Sequence, residues 1–207
     1  MVSLGDPFSI IRNALVQQVA SGKVEFGLKP AAVLLLLVPE TGGLSILFTK
    51  RTSRVEHHKG EVSFPGGAND PDDPDLLSTA LRETHEEIGV PPDLVHVLGT
   101  LPPAATRSNF LIHPFVGALT RQVVYTPSSH EVEEVFCVPL HSLFDPRARR
   151  EEHQSQNGQS ITSYAYYHQA HRIWGATARV LTSFLDALAP IQEKERLWAA
   201  SSPTSPR

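Results

Sequence analysis

The chain has 207 residues, 41% of them hydrophobic and 19% charged, with a net charge of −4. A chain of this size buries about 70% of its unfolded surface without needing disulfides. Its weakly acidic balance excludes the cation-dense surface that non-specific nucleic-acid binding requires. The single cysteine, Cys137, excludes an intramolecular disulfide and a cysteine-based structural zinc site.

Phe8 to Ala20 reads as an amphipathic helix, with Phe8, Ile11, Leu15 and Val19 at helical spacing. Ala31–Val38 is an uninterrupted apolar run of eight residues. It is far short of the ~18 needed to cross a bilayer and fits a buried strand. Leu44–Thr49 is its expected neighbour across the turn Pro39–Gly43. Glu61–Pro65 reads as a short extended piece running into Gly66-Gly67, and a proline-broken acidic loop follows to Asp75. Leu76–Ile88 is a helix stopped by Gly89 and Pro91-Pro92. Strands are expected over Val95–Leu101, Leu111–Leu119, Val132–Val138 and Ile161–His168, and a helical turn over Pro139–Phe144. Arg147–Gln159 reads as a hydrophilic loop ending in a turn at Asn157-Gly158. Trp174–Leu188 is a second strong helix, and the tail from Ser201 reads as disordered. The N-terminus lacks a charged segment followed by an apolar core. Together with the lone cysteine, this points to a cytoplasmic protein with no membrane partner.

The chemistry concentrates in Arg82-Glu83-Thr84-His85-Glu86-Glu87-Ile88-Gly89. At 100° per residue, Leu77, Leu81, Thr84 and Ile88 fall within about 60° and form the expected core face. Glu83, Glu86 and Glu87 lie at i, i+3 and i+4 on another face, so three carboxylates are neighbours. Like charges so placed repel unless a cation compensates, and hard oxygen ligands suit Mg²⁺ or Mn²⁺. Gly67, one loop earlier, lets the backbone approach closely and can offer its carbonyl.

Gly67 through Val90 resembles the signature of the Nudix hydrolases, Gly-x5-Glu-x7-Arg-Glu-apolar-x-Glu-Glu-x-Gly-apolar. Arg82, Glu83, Glu86, Glu87, Gly89 and Val90 match it, with Thr84 at the first apolar place. Asp73 stands where the pattern has Glu, and Arg82 lies fifteen residues after Gly67 rather than fourteen. That longer loop is similar to the coenzyme A diphosphatase branch. So are the approach segment Leu47–Gly67, the stretch Gly99–Pro103 with Thr106, Ser108 and Pro114, and Ile173–Ala178. Two departures stand out: Glu56 where relatives often carry a basic residue, and Ala104-Ala105 where a bulkier pair is usual.

The resemblance implies an α/β/α sandwich with a mixed β-sheet core. It implies a single domain over 1–200, with 1–29 as a helical extension and 201–207 as a tail. It implies metal binding by Gly67, Glu83, Glu86 and Glu87, with Glu83 or Glu131 as the general base. Arg51, Arg54 and Lys59 are candidate phosphate contacts, and Arg82 is expected to orient a glutamate. His57, His58 and His85 lack the spacing of a metal site. Cys137 is expected to be buried and inert, and Trp174 to pack. The expected activity is Mg²⁺- or Mn²⁺-dependent cleavage of coenzyme A or acyl-coenzyme A into adenosine 3′,5′-bisphosphate and (acyl-)4′-phosphopantetheine. The partner is thus a small nucleotide rather than nucleic acid, and a homodimer is compatible with it. The alternatives are a Nudix hydrolase for ADP-ribose, a dinucleoside polyphosphate or a nucleoside triphosphate, or a non-catalytic binding module.

Overall fold

The computed structural model describes residues 7–16, 27–53, 60–156 and 159–191. The long apolar run becomes the strand β1 (Lys29–Glu40), with β2 (Gly43–Arg51) antiparallel beside it. β3 (Val62–Ser63), β4 (Gly66–Ala68), the helix α2 (Leu76–Ile88) and β5 (Val95–Thr100) follow. Next come β6 (Ala104–Ala105), β7 (Phe110–Leu119) and β8 (Val132–Pro139). Among the described residues the main sheet has eight strands in the order β3-β2-β1-β7-β5, with β4 on β1, β6 on β7 and β8 on β2. Of these described strands only β1 and β7 run parallel, so the sheet is mixed as expected.

Alternation along β1 divides the core into two layers. Leu35 and Leu37 pack with Ile11 and Leu15 of α1 (Pro7–Val16) and with Leu181, Phe184 and Leu188 of α4 (Gly175–Leu188). Leu34 and Leu36 face the other way, onto Ala80 and Ile88 of α2. A sheet buried on both faces explains why β1 is apolar from Ala31 to Val38. The result is the α/β/α sandwich.

Three readings change. The expected loop 147–159 contains a strand, β9 (Arg149–Gln156), paired antiparallel with β10 (Gln159–His168) and followed by β11 (His171–Ile173). Its polar residues hide the strand because side chains rather than burial hold it. The Arg149 guanidinium lies 4.6 Å from the Tyr164 ring and that of Arg150 4.4 Å from Tyr167, while Glu152 accepts two bonds from Arg172. The extended piece 61–65 is shorter than expected, and Gly66-Gly67 is itself strand, because Gly66–Ala68 pairs with β1. On α2 the buried residues are Thr79, Ala80, Thr84, Glu87 and Ile88, so the core face is rotated away from Leu77 and includes a carboxylate. α1 ends at Val16, and the remainder of that expected helix, the turn at 157–158 and the tail lie outside the described residues. Among the described residues no helix is long and apolar enough to cross a membrane.

Candidate active site

β4 brings the glycine pair against β1, with Gly66 opposite Val33 and Gly67 opposite Ala32. Gly66 has φ +148°, and a Cβ there would lie 2.3 Å from the Ala32 carbonyl oxygen. A Cβ on Gly67 would lie 2.5 Å from Cδ of Glu83, so the Glu83 carboxylate rests directly on the Gly67 backbone. At Gly66 only glycine permits the approach, while at Gly67 a side chain would push the Glu83 carboxylate off the backbone.

α2 is fixed at both ends. The Asp75 carboxylate accepts from the Ser78 N–H at 2.7 Å and so caps the helix N-terminus. At the other end the Gly89 N–H donates to His85, and the Thr126 and Ser128 N–H groups donate to the carbonyls of Ile88 and Glu87. That loop is also tied to the end of β2. The Thr52 N–H donates to the Glu131 carbonyl at 2.9 Å, and the Thr52 hydroxyl donates to that of His130. Arg51, Glu131 and the carboxylates of α2 thereby meet at one end of the sheet.

The three box glutamates have different surroundings. The Glu87 side chain is only 4% exposed, and its Oε1 lies 3.7 Å from Nη1 of Arg51. Its Oε2 and the Arg51 Nε are buried without hydrogen-bond partners. Burial pushes the Glu87 carboxyl up to about 8; Arg51 opposes this, while Glu83 and Glu131 add to it. Glu83 is also raised, first by burial, against the pull of Arg82, with Glu86 and Glu131 adding to the rise. Glu86 is 57% exposed and accepts from Arg82 Nη1 at 3.0 Å. The α-helical spacing therefore makes the three neighbours, but the sheet buries only one of them.

Arg82 is held by a cluster whose key member the pattern match treats as a departure. Asp73 accepts both Nε and Nη2 of Arg82 at 2.9 Å, and Arg82 Nη1 donates to Glu83 at 2.9 Å. Asp73 also accepts from the buried Thr79 hydroxyl at 2.8 Å. These bonds hold the Asp73 carboxyl well below the ordinary range. The longer loop is absorbed by a local turn in which the Asp73 N–H donates to the Asp70 carbonyl. Asp73 and Thr79 are site residues that pattern reading passed over; the signal was Asp73 standing at the pattern's own glutamate position.

The structure thus gathers Gly67, Glu83, Glu87, Arg51 and Glu131, and leaves Glu86 at the rim. Arg54, Lys59, Glu56, His57 and His58 lie outside the described residues. His85 is exposed on α2. Cys137 is partly buried beside Tyr125, and burial pushes its thiol up to about 11, so it is protonated at neutral pH. Among the described residues no three His, Cys, Asp or Glu side chains stand close enough to grip an ion in these rotamers, because Glu83 and Glu86 turn towards Arg82. The donor chemistry nevertheless fits a hard divalent cation: a buried, unpartnered carboxylate oxygen beside a second carboxylate seated on a glycine backbone.

The NUDIX domain family profile matches residues 28–164. The chain belongs to the Nudix family. Nudix hydrolases act on phosphorus-containing acid anhydrides and depend on divalent metal ions, and this Nudix chain is a hydrolase of that kind. It is 44% identical over 165 residues to the mitochondrial coenzyme A diphosphatase NUDT8 of Mus musculus, covering 77% of this chain and 78% of the relative. It is 40% identical over 172 residues to that of Homo sapiens, covering 81% and 72%. The crystal structure of a MutT/nudix family protein from Enterococcus faecalis superposes with TM-score 0.53 at 15% identity, over 84% of this chain and 66% of that one. That likeness concerns the fold.

Proposed function

We propose that this Nudix hydrolase cleaves the diphosphate of coenzyme A or its acyl thioesters, releasing adenosine 3′,5′-bisphosphate and (acyl-)4′-phosphopantetheine. The observation that carries the substrate is the 44% identity to a relative named as a coenzyme A diphosphatase. Glu83, Glu86 and Glu87, with the Gly67 carbonyl, hold Mg²⁺ or Mn²⁺. When bound, the cation neutralises the diphosphate and acidifies water. Glu131 is exposed at the rim and within electrostatic reach of Glu83 and Glu87. It or Glu83 takes the proton from the attacking water as the bridging phosphorus–oxygen bond breaks. Arg51, with Arg54 and Lys59 from the adjoining loop, binds phosphate oxygens. Such chemistry rests on positioning and charge stabilisation, which this set supplies.

The same proposal takes residues 1–200 as one domain acting on a small nucleotide, as a cytoplasmic protein able to form a homodimer. Fractionation and sizing chromatography test the last two points; recovery in an organelle, or a strict monomer, would remove them.

To test the substrate, purified protein is incubated with Mg²⁺ or Mn²⁺ and coenzyme A, acetyl-coenzyme A, ADP-ribose, NADH or dNTPs, and the products are separated. Coenzyme A and its thioester should be cleaved fastest. Faster cleavage of ADP-ribose or dNTPs would overturn the substrate, and no turnover of any of them would overturn the reading as a whole.

A further inference from the structure

A second group of cations lies away from the carboxylates. β6 pairs with the start of β7, with Ala104 opposite Ile112 and Ala105 opposite Leu111. The connecting turn is closed by the Thr106 N–H donating to the Phe110 carbonyl at 2.8 Å and the Phe110 N–H donating to the Thr106 hydroxyl at 2.9 Å. Asn109 closes it with φ +66°. The turn holds Arg107 exposed at its tip, beside the hydroxyls of Thr106 and Ser108, 3.1 Å apart. α4 packs on β6 and carries Arg179, whose Nη2 donates to the Ala105 carbonyl.

Arg107 and Arg179 are 72 residues apart in the chain, yet the bond from Arg179 to the Ala105 carbonyl brings it to the strand that leads into the turn carrying Arg107. Partial burial disfavours the Arg179 charge and the nearby Arg107 adds to this, and among the described residues no carboxylate forms an ion pair with Arg179. Like charges placed together this way are stabilised by an anion between them, and guanidinium groups with adjacent hydroxyls match a phosphate monoester.

Their position relates them to the scissile site. At the level of Ala32 the strands run β4-β1-β7-β6, with Gly67, Ala32 and His113 in register and Ala104 opposite the neighbouring Ile112. Three strand spacings separate Gly67 from β6, or about 14 Å. Arginine side chains are long enough to span the difference between this backbone separation and the shorter distance from a 3′-phosphate to the diphosphate of one nucleotide.

We propose that Arg107 and Arg179 form a second anion site that binds the 3′-phosphate of the nucleotide, so that the site reads a phosphate the reaction leaves intact. This rests on the coenzyme A reading above. It moves recognition of that phosphate from the loop containing Arg54 and Lys59 to the β6–β7 turn and α4.

The test compares coenzyme A with 3′-dephospho-coenzyme A in the full-length protein. Arg107→Ala and Arg179→Ala should each lower kcat/KM for coenzyme A by about 10- to 100-fold, the range for a charge-assisted hydrogen bond. The same variants should change dephospho-coenzyme A by less than about 3-fold, and Arg179→Lys should recover part of the loss. Arg107 is exposed at a turn tip, so its variant keeps the test intact if Arg179→Ala fails to fold. Equal losses on both substrates, or none on either, would overturn the site. Calorimetric titration with adenosine 3′,5′-bisphosphate and with adenosine 5′-monophosphate gives a readout independent of turnover. The unmodified protein should prefer the bisphosphate, and both alanine variants should lose that preference; equal affinities in the unmodified protein would overturn the proposal. If the unmodified protein hydrolyses neither coenzyme A form, the substrate reading fails, and the titration still decides the anion site.

Discussion

Two charge clusters lie side by side on α2, built in opposite ways. In the first, Asp73, Arg82, Glu83 and Glu86 satisfy one another through hydrogen bonds of 2.9–3.0 Å. In the second, Glu87 is buried against Arg51 at 3.7 Å with one carboxylate oxygen unpartnered. The first arrangement stabilises the loop and helix it joins. The second costs stability, since a buried carboxylate without full compensation loses solvation that a distant ion pair does not restore. A fold that retains such a group keeps it for something other than stability.

The largest test of this contrast is Glu87→Gln. Turnover should fall at least ~100-fold, because the change removes a charge from the proposed cation site. Thermal stability in chelator at pH 8 should hold or rise, because the group that resists burial is gone. A drop of several degrees would assign Glu87 to the scaffold. Glu86→Gln should also cost at least ~100-fold in turnover, although its side chain is exposed. Wild-type rates in both variants would remove the metal assignment.

Asp73→Asn should do the reverse. It leaves Arg82 with a weaker partner and should lower Tm, while turnover per folded molecule falls less than ~10-fold. Calorimetry and active-site titration separate the two effects.

A third test varies pH. The Glu87 pKa is raised from an ordinary 4.5 to about 8 in the folded chain, so folding takes up a proton between these values. Its contribution is complete below about 4.5 and is lost as pH rises through about 8. In chelator, wild type and Glu87→Gln should therefore melt together near pH 5, with wild type melting lower at pH 8. The Tm gain from added Mg²⁺ should grow over the same window, since the cation must displace that proton. A gain independent of pH would place the ion elsewhere. The smallest effect concerns the polar hairpin: Arg149→Ala removes one exposed cation–π contact and should cost no more than about 1 kcal/mol, leaving turnover unchanged.

The legible parts share a physical origin. Leu76–Ile88 is bounded by Asp75 and Gly89, whose capping is local chemistry, so its limits agree with the sequence reading. The apolar runs of β1 and β2 announce burial on both faces. β9 was not legible, because Arg149-Arg150-Glu151-Glu152 carries no apolar alternation and its partners Tyr164, Tyr167 and Arg172 lie more than a dozen residues away.

At the site, the sequence by itself determined the family signature and the adjacency of Glu83, Glu86 and Glu87, because helical periodicity alone makes i, i+3 and i+4 neighbours. It also determined the glycines: the lack of a side chain lets Gly66 approach the Ala32 carbonyl and leaves room for the Glu83 carboxylate on Gly67. Tertiary structure alone decided that Glu87 is buried and Glu86 exposed, that Asp73 takes up Arg82, and that Arg179 reaches the Ala105 carbonyl beside the turn of Arg107. Each of these depends on which elements the sheet brings together, and burial and long-range charge contacts are set by that packing rather than by position along the chain.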